Sequence, residues 1–200
     1  MVDDGSHDDT IDVARAVPGV TVIETYPNRG KGHAVRTGML CARGKLRLFM
    51  DADGAVPISD LPKLREQIVR GADVAIGSRR AAGATSHAKA PWYRRAWSRL
   101  TNKILRATLT PGIRDTQCGF KLFRAEAAQR LFERTSTNGW GFDMEVLGWA
   151  KKLAYRVDEV AITWTDDPRS KIHPVRDAIR VILQFVRIRR LLAAAPAVAQ

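Results

Sequence analysis

"LRLFMDADG", Leu46 to Gly54, decides how the rest of the chain is read. The short run of bulky apolar residues predicts a strand over Leu46 to Met50, and the acidic, glycine-containing stretch after it predicts a turn at that strand's carboxyl end. Residues two apart share a face while the backbone is extended, so Asp51 and Asp53 carry their carboxylates to one place. Two neighbouring carboxylates repel and ionise together cheaply only beside a cation. Hard oxygen ligands with room for substrate phosphates suit Mg²⁺ or Mn²⁺. A solvated turn is the ordinary alternative for a D-x-D met alone. An EF-hand does not fit, because the twelfth loop position is Pro62 rather than Glu.

Working outward, Val20 to Glu24 and Val74 to Gly77 read as further strands. Helices are expected over Asp9 to Ala16, capped by Ser6 with Asp9 three positions on, over His33 to Arg43, and over Leu61 to Val69 after Ser59 or Asp60. Strands alternating with helices imply an α/β fold with a mostly parallel sheet, whose ligands gather at the carboxyl ends of the strands. The second half is less regular. Helices are predicted over Tyr93 to Leu109, Ala125 to Glu133, Met144 to Leu153 and Val175 to Leu192, and one strand over Val157 to Trp164. An Ala-rich tail closes the chain.

Other stretches carry chemistry beside a structural alternative. "VDDGS", Val2 to Ser6, stands at the same sheet edge but reads equally as an Asx-turn. "NRGKGHAVRTG", Asn28 to Gly38, brings glycines around Lys31 just before a helix and can offer N–H groups to an anion, although it lacks the spacing of a P-loop. "GSRR" puts Arg79 at the strand ends. "DTQCGFKLF", Asp115 to Phe123, and "GWGFDMEV", Gly139 to Val146, mix acids with aromatics and glycines. Tryptophan packing in the interior is the expectation for the latter. No H-E-x-x-H or G-x-S-x-G pattern occurs.

The 200 residues, 45% hydrophobic, suit one domain with a buried core. Lys and Arg number 33 against 21 Asp and Glu, a net charge of +12, which points to an anionic partner. The first 60 residues hold most of the aspartates, while the stretches Arg79 to Arg106 and Arg176 to Arg190 are strongly basic. That layout suits metal-assisted handling of phosphates better than a nucleic-acid surface. Cys41 and Cys118 are isolated and fit a reducing compartment.

The succession "VDDGSHDDT", "NRGKGHAVRTG", "DAD", "GSR" and "DTQCGFKLF", followed by "FDME" and a later "W…SK", resembles family 2 glycosyltransferases of the GT-A fold. Within it the chain is most similar to the type that glucosylates dolichyl or polyprenyl phosphate. The resemblance runs from Val2 to about Arg190 and implies a GT-A domain over 1–172, a basic amphipathic helix over 173–192 and a tail over 193–200. It implies that Asp3 and Asp4 contact the nucleobase and ribose of a nucleotide-sugar, that Lys31 lies near the nucleotide, and that Asp51 and Asp53 hold Mg²⁺ or Mn²⁺ on the diphosphate. Asp115 and Asp143 join the catalytic set. Arg79, Arg94, Ser98 and Lys171 match positions that bind the acceptor phosphate. A phosphate is already an anion at neutral pH, so it needs cations to hold it rather than a base.

Two departures stand out. "DDPRSK" carries Arg169 where relatives often have glycine. The family also begins with a strand and a "PAYNE"-like loop, so the first strand and helix of the fold are expected to be missing here, with about 30 to 60 further residues in a complete protein. The implied activity is metal-dependent, inverting transfer of a hexose, glucose from UDP-glucose, to polyprenyl phosphate. The setting would be an anionic membrane surface on its cytoplasmic face, with no nucleic acid involved. The rivals are a GDP-mannose-dependent mannosyltransferase, a transferase to a glycan hydroxyl, a non-catalytic fragment and a basic nucleic-acid-binding module.

Overall fold

The computed structural model describes residues 1–87, 110, 112–165 and 174–195. Strand β1 (Val2–Asp3) leads to helix α1 (Thr10–Arg15), β2 (Ile23–Glu24), α2 (Lys31–Cys41) and β3 (Leu46–Met50). A single 3₁₀ turn, Ile58–Asp60, runs into α3 (Leu61–Val69), followed by β4 (Val74–Ser78) and β5 (Thr85–His87). After the segment outside the described residues come β6 (Phe120–Arg124), α4 (Ala125–Arg134), α5 (Phe142–Lys152), β7 (Val157–Ala161), β8 (Thr163–Thr165) and α6 (Pro174–Ala194). The helix expected over Tyr93 to Leu109 lies outside the described residues.

The α/β alternation is present, and the central sheet is mixed. Its order is β3-β6-β4-β7, with β6 antiparallel to both neighbours and β7 parallel to β4. Strands β1 and β2 form a separate parallel pair, as do β5 and β8. Strand β6, inside "DTQCGFKLF", serves as the spine, because each of its faces builds a different core. Phe120 and Leu122 point to one side with Leu64, Ile68 and Ile162. Phe123 points to the other with Phe49, Leu131, Phe132 and Phe142, as a period of two requires. Lys121 shares that second face.

Two expectations change in detail. Ser6 does not cap α1; its hydroxyl is turned back to Asp3, and Asp9 occupies the N-cap position, while Asp8 accepts the Thr10 N–H at 3.2 Å. The strand read over Val157 to Trp164 is two strands. At the buried Ile162 the chain changes partner, from β4 to β5. The Thr163 N–H goes to Asp60 Oδ2 at 2.7 Å, fixing the changeover.

Helix α6 is docked on the domain. Ile188, 1% exposed, packs with Met144, Phe185 and Leu192. Lys152 Nζ donates to the carbonyls of Leu192 and Ala195, both at 2.5 Å, and so satisfies the helix's last turn. Leu183 and Val186 face outward. Among the described residues no helix is long and apolar enough to cross a membrane. If this docking stabilises the domain, Ile188→Ala should cost about 2–4 kcal/mol, whereas Leu183→Ala should stay within about 0.5 kcal/mol. Urea unfolding of both variants checks this.

Candidate active site

The carboxyl end of β3 meets the amino ends of α2 and α5. Asp51 is fixed twice on its own backbone side. Its N–H donates to Gly119 O at 2.9 Å, and its carboxylate lies so close to Gly119 that any Cβ there would collide with it. Lys31 Nζ, from the first turn of α2, stands 2.8 Å from Asp51 Oδ1 and 2.9 Å from Oδ2. The same ammonium lies 4.6 Å from the Trp140 ring centroid and 5.6 Å from that of Phe49. Asp53 sits on the exposed turn beyond, its Oδ1 accepting the Ala55 N–H at 3.0 Å.

Under this layer is a buried ion pair. Lys121 Nζ, on the α5-facing side of β6, is bonded to Asp143 Oδ1 and also donates to Cys118 O at 2.5 Å. Burial pushes the Asp143 carboxyl above its ordinary value, against the pull of Lys121 and Lys31. Glu145, two residues further along the same first turn of α5, is fully buried. It accepts the N–H groups of Ser136 and Thr137, both at 2.8 Å, and so holds the loop before α5.

The glycines of "NRGKG" owe their place to that loop. A Cβ at Gly30, whose φ is +101°, would come within 2.7 Å of Asn138 O, and one at Gly32 would collide with Thr137 O. The N–H groups there are engaged internally. Gly32 and His33 donate to Asn138 O at 2.6 and 3.3 Å, and Arg29 and Gly30 to Asp4 at 2.9 and 2.6 Å. Four of these amides thus stitch three loops together, those of Arg29 and Gly30 on the carboxylate of Asp4.

Asp3 and Asp4 also serve as fasteners. Asp3 Oδ2 accepts the N–H groups of Gly5 and Ser6 at 3.0 and 2.9 Å, the Asx-turn arrangement. The Ser6 hydroxyl and amide hold its carboxyl below the usual range. Asp4 takes the Thr25 hydroxyl at 3.0 Å in addition to the two amides.

Arg79, just beyond β4, forms a bidentate pair with Asp115, with Nε and Nη2 at 2.7 and 2.8 Å and its own N–H at 3.0 Å. The guanidinium lies 5.3 Å from the Trp164 ring. Asp115 is locked from the other side, since its N–H and that of Arg114 donate to Glu159, each at 2.8 Å. Burial penalises the Arg79 cation, but the bonds and charge of Asp115 outweigh this and raise its pKa. Burial pushes the Asp115 carboxyl upward, and Arg79 more than offsets it, leaving it below its ordinary value of 3.8.

The structure thus brings Lys31, Asp51 and Asp143 to one place, with Asp53 on the exposed turn two residues past Asp51. Asp4 is joined to the site through the loop before Lys31, Asp3 holds its own Asx-turn beside it, and Arg79 is paired with Asp115. Arg94, Ser98 and Lys171 lie outside the described residues. Lys121, Gly119 and Trp140 were missed as site residues. Trp140 is 66% exposed, which corrects the expectation of interior packing. A lysine in the middle of the apolar "GFKLF" was the one available signal for Lys121.

Residues 1–132 match the family described as Glycosyl transferase family 2. The chain belongs to that family. It is 34% identical to a dolichyl-phosphate beta-glucosyltransferase of Dictyostelium discoideum over 94% of this chain and 61% of the relative. It is 39% identical to one of Drosophila melanogaster over 87% and 57%, and 36% identical to one of Homo sapiens over 97% and 64%. The chain therefore spans about three-fifths of the length of these family 2 relatives. Glucosyl-3-phosphoglycerate synthase from Mycobacterium tuberculosis, solved with Mn²⁺ and UDP-glucose, superposes with a TM-score of 0.68 at 18% identity, covering 94% of this chain and 67% of that one. It shares the GT-A α/β fold.

The Arg79–Asp115 pair sets an acid limit. Asp115's folded carboxyl titrates below 3.8, so the stability it contributes is complete above that pH and is lost as pH falls through the lower folded value. Asp115→Asn should cost about 3 kcal/mol at pH 7. Below pH 4 its stability should fall less steeply than that of the unaltered protein, as denaturant midpoints across pH will show.

Proposed function

We propose that this protein transfers glucose from UDP-glucose to a dolichyl or polyprenyl phosphate, with a divalent cation and inversion at the anomeric carbon. The observation that carries the reading is the seating of Asp51: a carboxylate fixed by Gly119 at a strand end, already facing a cation and joined by Asp53 on the same turn. The names of the family 2 relatives support glucose and dolichyl phosphate, and the shared fold of a protein solved with Mn²⁺ and UDP-glucose supports the donor and metal. The residues fit a hard cation in their chemistry. Asp51 and Asp53 supply carboxylate oxygens, and since no larger group of acids, histidines and cysteines gathers among the described residues, the donor's phosphates would complete the shell. Such a cation, when bound, stabilises the charge on the departing nucleoside diphosphate.

The burial of Asp143 supports a phosphate acceptor. It is 4% exposed and bonded to Lys121, which suits a part in holding the site rather than in removing a proton from a sugar hydroxyl. Arg79, with its guanidinium oriented by Asp115, and Arg94, Ser98 and Lys171 are assigned to the acceptor phosphate. Leu183 and Val186, beside the exposed Arg187, Arg189 and Arg190, support a peripheral place on an anionic membrane, at its cytoplasmic face.

Two outcomes follow. With radiolabelled UDP-glucose and polyprenyl phosphate, Asp51→Asn or Asp53→Asn should lower transfer by about 100-fold or more. EDTA should abolish it reversibly, and an unimpaired Asp53→Asn enzyme would contradict the assignment. For Asp143→Asn, the loss of rate should track the loss of stability. Rescue by an added small base would instead favour a hydroxyl acceptor.

A further inference from the structure

Trp140 stands out among the large exposed side chains because it is at the candidate site and both its neighbours in the chain are closely packed. The glycines on either side of it both abut Gln184 of α6: a Cβ at Gly139 would lie 2.7 Å from Nε2, and one at Gly141 would lie 2.5 Å from Oε1. The next residue, Phe142, is buried, and Glu145 clamps the loop leading in. An indole left in water on so constrained a turn is placed rather than stray.

Its ring faces Lys31 Nζ at 4.6 Å, and that ammonium touches Asp51 at 2.8 Å. The row of indole, ammonium and carboxylate borders the space where, on the reading above, the donor's diphosphate and sugar lie. Two parts of such a donor present a flat face, the base and the hexose. The base is assigned to Asp3 and Asp4, of which Asp4 reaches the loop just before Lys31 through Arg29 and Gly30. The indole instead flanks the Lys31 ammonium, which itself touches Asp51, the acid assigned to the diphosphate. A hexose offers an apolar C–H face suited to an indole and hydroxyls suited to neighbouring carboxylates.

We propose that Trp140 is the stacking platform for the hexose of the donor, a positioning and sugar-selecting residue. The proposal rests on the donor reading above. Because the indole is exposed, truncating it spares the core. UDP and UDP-glucose are titrated, with Mn²⁺ present, into the unaltered 200-residue chain and its Trp140→Ala and Trp140→Phe variants. All three should bind UDP alike. Trp140→Ala should lose about tenfold in affinity for UDP-glucose, and Trp140→Phe should regain most of it. An equal loss for both ligands would put the indole on the nucleotide and overturn the proposal, as would unchanged UDP-glucose binding in Trp140→Ala. An unaltered chain that binds neither ligand sinks the donor reading and this assignment together. One that binds both, beside an indifferent alanine variant, sinks this assignment alone.

Discussion

The buried pair of Lys121 and Asp143 is the interaction on which the site is built. Withdrawing two charges from water costs several kcal/mol per ion, and their attraction offsets that only with good geometry and further hydrogen bonds. Lys121 has those bonds: Asp143 on one side, the Cys118 carbonyl on the other, and the Phe49 ring 5.6 Å away. Through Cys118 it fixes the turn that carries Gly119, and Gly119 in turn seats the Asp51 carboxylate. Through Asp143 it joins β6 to the first turn of α5. One ammonium thus connects the strand spine, the helix and the acidic turn.

Around that pair the site is assembled by close backbone approach. The glycines before and within the first turn of α2 let it press against the loop at 137–138, and Glu145 holds the same loop from inside α5. Asp4 fastens the end of β1 to Arg29 and Gly30, one residue before Lys31. Residues that look like ligands in sequence therefore do structural work first. A change at Asp4 or Gly32 would alter where Lys31 sits even if neither touched a substrate.

Part of this was legible in the sequence. Strand Leu46–Met50 and helix Leu61–Val69 were read at their observed bounds, because apolar spacing and turn signals agree there. The order of motifs gave the family. Strand β6 escaped because both its faces are covered, so "FKLF" shows no polar alternation, and its antiparallel course depends on partners about 45 and 75 residues away. Lys121 reads as a surface charge until the fold supplies Asp143. Trp140 reads as core because burial is the common state of an indole, and only the docking of α6 against Gly139 and Gly141 shows why it stays outside.

That docking sets α6 against the turn that borders the candidate site. Its inner face is held by Ile188 and Leu192, and its end by Lys152. Gln184, on the same helix, abuts the two glycines that frame Trp140. Leu183, Val186 and Arg187 look outward. A lipid surface met by the outer face of α6, as proposed above, would lie one helix away from the turn at 139–141. On the reading proposed above, the surface that brings the acceptor and the ring that orients the donor sugar are joined by one helix.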